Sequence, residues 1–134
     1  LIFLNLQLKS VHLKSYINLF VAPLHTDHLL SEAEKENLYA KLLEQINKDF
    51  NFANEPIDFP QSTSPYELKV QLHEKIYRLI QYKYAELLNL LYIIDVPEEN
   101  VKQLDGSDTV ELSEQIAFLV LKREWMKVWF RNRL

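Results

Sequence analysis

The sequence predicts an all-α fold, a small multi-helix bundle with one long central helix. Three observations carry that reading. Apolar residues recur every three or four positions through most of the chain, the period of an amphipathic helix. Only one glycine, Gly106, and five prolines occur in 134 residues, too few for a turn-rich β architecture. Hydrophobic residues make up 48% of the chain, enough to build the core of one domain. Residues 1–134 therefore read as a single helical domain. No methionine opens the chain, so some native N-terminal residues are expected to be lacking.

Residues 1–22 carry two patterns. Ile2, Leu4, Leu6 and Leu8 alternate as in a strand, whereas Leu6, Leu13, Ile17 and Phe20 fit a helical face. We favour a helix from Ser10 to Val21, ended near Pro23, with an extended start as the alternative. Ser31-Glu32-Ala33-Glu34 has the spacing of a capping box, which predicts a helix from there to about Asp49. Leu38, Leu42 and Ile46 form its apolar stripe, widened by Tyr39, Leu43 and Phe50. The loop that follows, residues 51–65, contains Phe52, Ile57 and Phe59, which are expected to fold back onto the helices.

Ser64-Pro65-Tyr66-Glu67 is the strongest helix start in the chain, with a Ser cap, Pro at the first helical position and Glu at the third. No glycine or proline follows before Pro97. The spacing therefore predicts an unbroken central helix of nearly thirty residues, about 40 Å long. From Ala85 to Val96 it is apolar nearly all round, so that end should be covered on several sides by the bundle or by a second subunit. DGSD at 105–108 is a turn. A last helix runs from Thr109 or Ser113 to the end, with Ile116, Leu119, Val120, Trp125, Val128 and Trp129 on its buried side.

Charge is uneven. The net value is −4, yet residues 27–67 hold nine acids against three lysines, while residues 122–134 hold five bases against Glu124. A mildly acidic chain is not a general nucleic-acid binder. There are no cysteines, which removes disulfides, thiolate metal sites and thiol catalysis. The N-terminal apolar run is interrupted by Asn5, Gln7 and Lys9, too soon for a membrane span, and it lacks the basic start and small-residue cleavage pattern of a secretory leader. We expect no membrane association and a cytoplasmic location.

Few residues point to chemistry. His25 and His28, three apart around Asp27, could hold a metal if His73 or His12 joined them. Adjacent His73 and Glu74 point about 100° apart on a helix and make no ready acid/base pair. No glycine-rich phosphate loop, no HExxH pattern and no nucleophile elbow is present. We therefore assign no catalytic residue, no metal site and no cofactor, and leave enzymatic activity open with a non-enzyme as the favoured reading. An enzyme or metal protein built around the histidines is the third choice.

The segment LKREWMKVWFRNRL, residues 121–134, resembles the third helix of homeodomains through Lys127, Val128, Trp129, Phe130, Asn132 and Arg133. The resemblance implies an adenine-reading role for Asn132 and a phosphate-facing one for Arg133. It covers a short stretch only, Leu134 stands where a basic residue is usual, and residues 113–133 read as one continuous helix without the turn that family needs. Lys127, Arg131, Asn132 and Arg133 carry the nucleic-acid alternative.

The leading expectation is a protein-protein interaction or scaffold domain, with another protein or a second copy of itself as partner. Tyrosine and tryptophan supply large contact area at modest entropy cost. Tyr77 and Tyr84, seven apart on the predicted central helix, and Trp125 and Trp129, one turn apart on the last, are the candidate contact residues.

Overall fold

The computed structural model describes residues 20–133. The alternating and helical readings of residues 1–19 lie outside the described residues. Residues 20–23 are non-helical, so no helix runs to Val21. Six helices follow: α1 Thr26–Lys35, α2 Tyr39–Phe52, α3 Pro65–Tyr82, α4 Tyr84–Ile94, α5 Glu98–Lys102 and α6 Thr109–Arg133. The all-α bundle predicted from periodicity is the observed fold.

Three expected boundaries are corrected. Ser31 is not a cap but an interior residue of α1. The cap is His25, whose Nδ1 accepts a hydrogen bond from the His28 N–H at 3.2 Å. His28 Nδ1 in turn accepts the Leu24 N–H at 3.3 Å. A break then separates α1 from α2 at Asn37, which takes a left-handed φ of 58°. The Leu38 N–H reaches the Ala33 carbonyl at 2.9 Å and the Asn37 N–H reaches Glu34 at 3.1 Å, the two bonds of a Schellman helix end. Asn54 ends α2 the same way at φ 60°, and Asp95 ends α4 at φ 71°. Glycine usually fills these positions because it has no Cβ penalty. Here Asn and Asp do so, which is how a chain with one glycine stops its helices.

The third correction concerns the central helix. The segment from Pro65 to Ile94 breaks at Lys83, with φ −145° and ψ 56°. Nothing in local propensity demands this break. Its ammonium lies 2.7 Å from Glu55 Oε2, and Lys75 lies 3.2 Å from Glu55 Oε1. Glu55 is buried in the turn after α2. Burial pushes its pKa up, but the hydrogen bonds and charges of Lys83 and Lys75 outweigh that and leave it below the usual carboxylate range. The bend lets α4 lay Leu87, Leu90, Leu91 and Ile94 into the core, where it packs on α2, α3 and α6.

The long central helix is α6 instead. At 25 residues it is about 37 Å long, and it packs against α1, α2, α3 and α4. Asp108 caps it, accepting the Val110 and Glu111 N–H groups at 2.9 and 3.2 Å. Its second half is buried on almost every side, with Val120, Leu121, Trp125, Val128, Trp129 and Phe130 in the core. The loop after α2 is pinned as expected by Phe59, which is buried and bonded at both backbone groups to the Asn47 amide at 2.9 Å. Ile57 packs on the core, but Phe52 points into solvent. Ser64 caps α3 through the Glu67 N–H at 3.1 Å.

The left-handed helix ends predict a graded response. Asn54→Ala forces a Cβ-bearing residue without a turn-forming amide into φ > 0 and is expected to lower stability by about 1 kcal/mol. Asn54→Gly is expected to hold or raise it. Urea unfolding of the two variants checks the order, and the reverse order contradicts this account of the helix ends.

Candidate functional site

The four candidate contact residues do not form one surface. Trp125 and Trp129 are 2% and 6% exposed, so this fold spends them on its own interior. Trp129 packs edge-on against Phe20 at 5.1 Å and Phe130 at 5.0 Å, and the Arg133 guanidinium lies 3.6 Å from the Trp129 ring centre. Tyr77 is half-buried on α3, and its hydroxyl accepts from Gln81 Nε2 at 3.3 Å. The break at Lys83 places Tyr84 on a different helix. Of the four, only Tyr84 presents a large exposed face.

Tyr84 belongs to another row. On α4 it is followed by Leu88 and Tyr92, one turn apart each, and the three are 53%, 49% and 77% exposed. They lie on the side of α4 opposite Leu87, Leu90 and Ile94, which are fully buried. Beside the row is a groove of about 510 Å³ whose apolar wall includes Leu91, Val96 and Val101. Its rim carries Glu98 and Lys102, paired with each other at 3.3 Å. The sequence signal for this face was the all-round apolar character of α4. Leu88 and Tyr92 were missed because a helix apolar on every side does not reveal which side is covered.

The basic C-terminal residues are mostly engaged inside the fold. Arg123 is buried and donates to the Asp95 carbonyl at 2.9 Å and to its carboxylate at 3.1 Å, neutralising the negative end of α4. Arg133 donates to Glu36 at 2.6 Å. Arg131 donates to Gln45 Oε1 at 2.9 Å. Lys127 is buried and sits 2.8 Å from Asp49 and 3.2 Å from Glu124. Asn132 is exposed. The acidic N-terminal half and the basic tail therefore meet across the bundle. The homeodomain likeness is set against an unbroken 25-residue helix in which Trp125, Trp129, Arg123 and Lys127 are buried in their own domain.

Asp49, Glu124 and Lys127 form the deepest polar cluster. Glu124 is wholly buried, and neither of its oxygens accepts a hydrogen bond. Burial drives its pKa well above the ordinary glutamate value, and the neighbouring Asp49 carboxylate drives it further, while Lys127 pulls only partly back. Burial pushes Asp49 up as well, but the neighbouring Glu124 carboxyl, the hydrogen bonds from Lys127 and Gln45, and the Lys127 charge carry it below its ordinary value. The two shifts fit one state: Glu124 neutral, Asp49 ionised, and Lys127 balancing the Asp49 charge. Such a split in pKa suits acid/base chemistry, but Glu124 is sealed from any substrate. Here it serves to join α2 to α6.

The histidines separate. His25 and His28 are spent on capping α1, with ring centres 5.8 Å apart. His73 Nε2 lies 2.7 Å from Ser113 Oγ at the α3–α6 seam. Ser113 Oγ donates to the Val110 carbonyl at 2.7 Å, which leaves the His73 Nε2–H as the donor to Ser113. Among the described residues no group of three or more His, Asp or Glu side chains is placed to hold a metal ion. Tyr39, bonded to the Thr63 carbonyl at 2.8 Å, has its pKa raised to about 12 by burial and then by Glu34 and Glu67, which makes it a structural donor rather than a base.

No family model, curated protein or solved structure matches the chain, so its functional reading rests on its own geometry.

Two outcomes test the cluster. Lys127→Met leaves Asp49 as a buried charge without its cation and is expected to cost about 3–5 kcal/mol in urea unfolding. The folded pKa of Glu124 lies above its unfolded one. Its contribution is therefore complete below the unfolded value and is lost as pH rises through the folded value. Asp49 runs the other way, losing its contribution as pH falls through its depressed folded value. Glu124→Gln should thus gain on the wild type as pH increases from about 4 to about 9. Thermal midpoints of the two proteins across that range check this. A difference that does not change with pH contradicts a neutral Glu124.

Proposed function

We propose that this chain is a cytoplasmic helical protein-protein interaction module that works through the outer face of α4, with a second copy of itself as partner. The observation that carries the reading is the row Tyr84, Leu88 and Tyr92, exposed beside an apolar groove. Large apolar side chains scattered singly on a surface need no explanation, whereas a contiguous row with a polar rim marks a contact site. Tyrosines suit it, since the ring is buried while the hydroxyl stays satisfied. The rim supports self-association. Glu98 and Lys102 give it one charge of each sign, so a two-fold copy meets opposite charges on both sides of an isologous contact.

Nucleic-acid binding through Lys127, Arg131, Asn132 and Arg133 has less support. Lys127 and Arg133 hold Asp49 and Glu36, and using them on a phosphate backbone means breaking contacts inside the bundle. No helix among the described residues is long and apolar enough to cross a membrane.

Sedimentation at micromolar concentration is expected to show a species of twice the 16.0 kDa chain mass. Leu88→Asp with Tyr92→Asp should return it to the single-chain mass while leaving the thermal midpoint of the fold nearly unchanged, because both side chains are exposed. Sedimentation of the unaltered protein at 16.0 kDa alone would rule out self-association.

A further inference from the structure

We propose that the groove between α2 and α6 is a binding site for a small oligophosphate anion. It has a volume of about 510 Å³, within the range of small-molecule sites. Three cations line it, Lys41 and Lys48 from α2 and Arg131 from α6, against one carboxylate, Glu44. On a chain of net charge −4 that is a local excess of positive charge, and the Val128 side chain gives the groove an apolar wall against which the field is less screened.

The cations differ in kind. Lys41 and Lys48 are exposed, and neither takes part in any ion pair found among the described residues. Most other cations of the bundle are committed: Lys69 to Asp27, Lys75 and Lys83 to Glu55, Arg123 to Asp95, Lys127 to Asp49 and Arg133 to Glu36. Arg131 is positioned from behind. Its Nη1 donates to Gln45 Oε1 at 2.9 Å, and Gln45 Nε2 donates to Asp49 Oδ2 at 3.0 Å. Gln45 is itself buried, at 5% exposure. The interior cluster therefore sets where the guanidinium stands at the groove, and a planar fork held in place is the group that recognises phosphate oxygens. Asn132 adds a side-chain amide next to it. Glu44 is drawn toward the loop after α2, where it accepts from Gln61 Nε2 at 3.5 Å.

The spacing selects the ligand. Lys41 and Lys48 are seven residues apart, about 10 Å along the helix, with Arg131 across from them. A chain of phosphates spans that separation with less distortion of the lysine side chains than a single phosphate. A free oligophosphate and the phosphate chain of a nucleotide share this chemistry.

The test is calorimetric titration of the full chain at about 50 mM salt, low enough to leave surface electrostatics unscreened, with inorganic monophosphate, inorganic tripolyphosphate and ATP. Tripolyphosphate is expected to bind at least about tenfold more tightly than monophosphate. ATP binding as tightly as tripolyphosphate assigns the site to the phosphate chain alone, and tighter ATP binding assigns it to a nucleotide. Lys41→Glu and Lys48→Glu should each weaken binding by roughly tenfold, while Lys122→Glu, the same charge change elsewhere on α6, should leave it nearly intact. Gln45→Leu changes no charge and should still weaken binding several-fold by releasing Arg131. Far-UV circular dichroism and the thermal midpoint confirm that each variant folds. No saturable binding of tripolyphosphate overturns the proposal. So does equal weakening by Lys122→Glu and Lys41→Glu, which means diffuse attraction only. Tighter binding of short duplex DNA through the same lysines also overturns it, in favour of a nucleic-acid surface.

Discussion

The bundle depends on placing three ionisable groups where water has little access. Asp49 on α2 and Glu124 and Lys127 on α6 are all buried. Three full charges in such a site would be prohibitively costly, because the loss of hydration exceeds what mutual attraction returns. One neutral carboxyl resolves the difficulty and leaves a single ion pair. The arrangement works only when α2 and α6 stand in one register, since a displaced Lys127 leaves Asp49 uncompensated. A purely apolar contact tolerates sliding; this one does not. The Gln45–Arg131 pair extends the same chain of bonds to the surface, so interior and groove are set together.

The rest of the architecture follows from where α6 stands. It touches every long helix and brings the basic residues of the C-terminal half to the acids of the N-terminal half. Arg123 closes the end of α4, and Arg133 ties the last turn to Glu36 at the end of α1. The charge imbalance along the chain is thus an assembly pattern as much as a surface property. With α6 central, α4 is pushed to the outside. One side of α4 completes the core and the other is left uncovered, which is why a helix apolar all round keeps an exposed apolar row.

Much of the fold was legible in the sequence, for definable reasons. The Ser64-Pro65 start of α3 and the continuous α6 carry signals local to their own residues, a cap in one case and an uninterrupted helical pattern in the other. The break at Asn37 was hidden because Asn is also an ordinary helix-surface residue, and only its φ reveals the turn. The break at Lys83 has no local signal. What meets Lys83 there is Glu55, twenty-eight residues away. Charge usually means exposure, so the burial of Glu124 and Lys127 beside Asp49 across the bundle has no signal in their own stretch of sequence. Trp125 and Trp129 read both as buried-side residues and as contact candidates, and their burial in the domain's own core is a tertiary fact. The α4 face was legible as an excess of apolar residues and illegible as a direction.

The central claim is that Glu124 is a neutral carboxylic acid at the α2–α6 contact. Carbon-13 NMR of the glutamate side-chain carboxyls measures this directly, by following the Glu124 resonance through a pH titration of the folded protein. The account predicts a midpoint well above the ordinary glutamate range, with Asp49 ionising below its own. A Glu124 midpoint at or below the ordinary range would mean an ionised buried carboxylate, and would contradict the arrangement on which the fold is argued to rest.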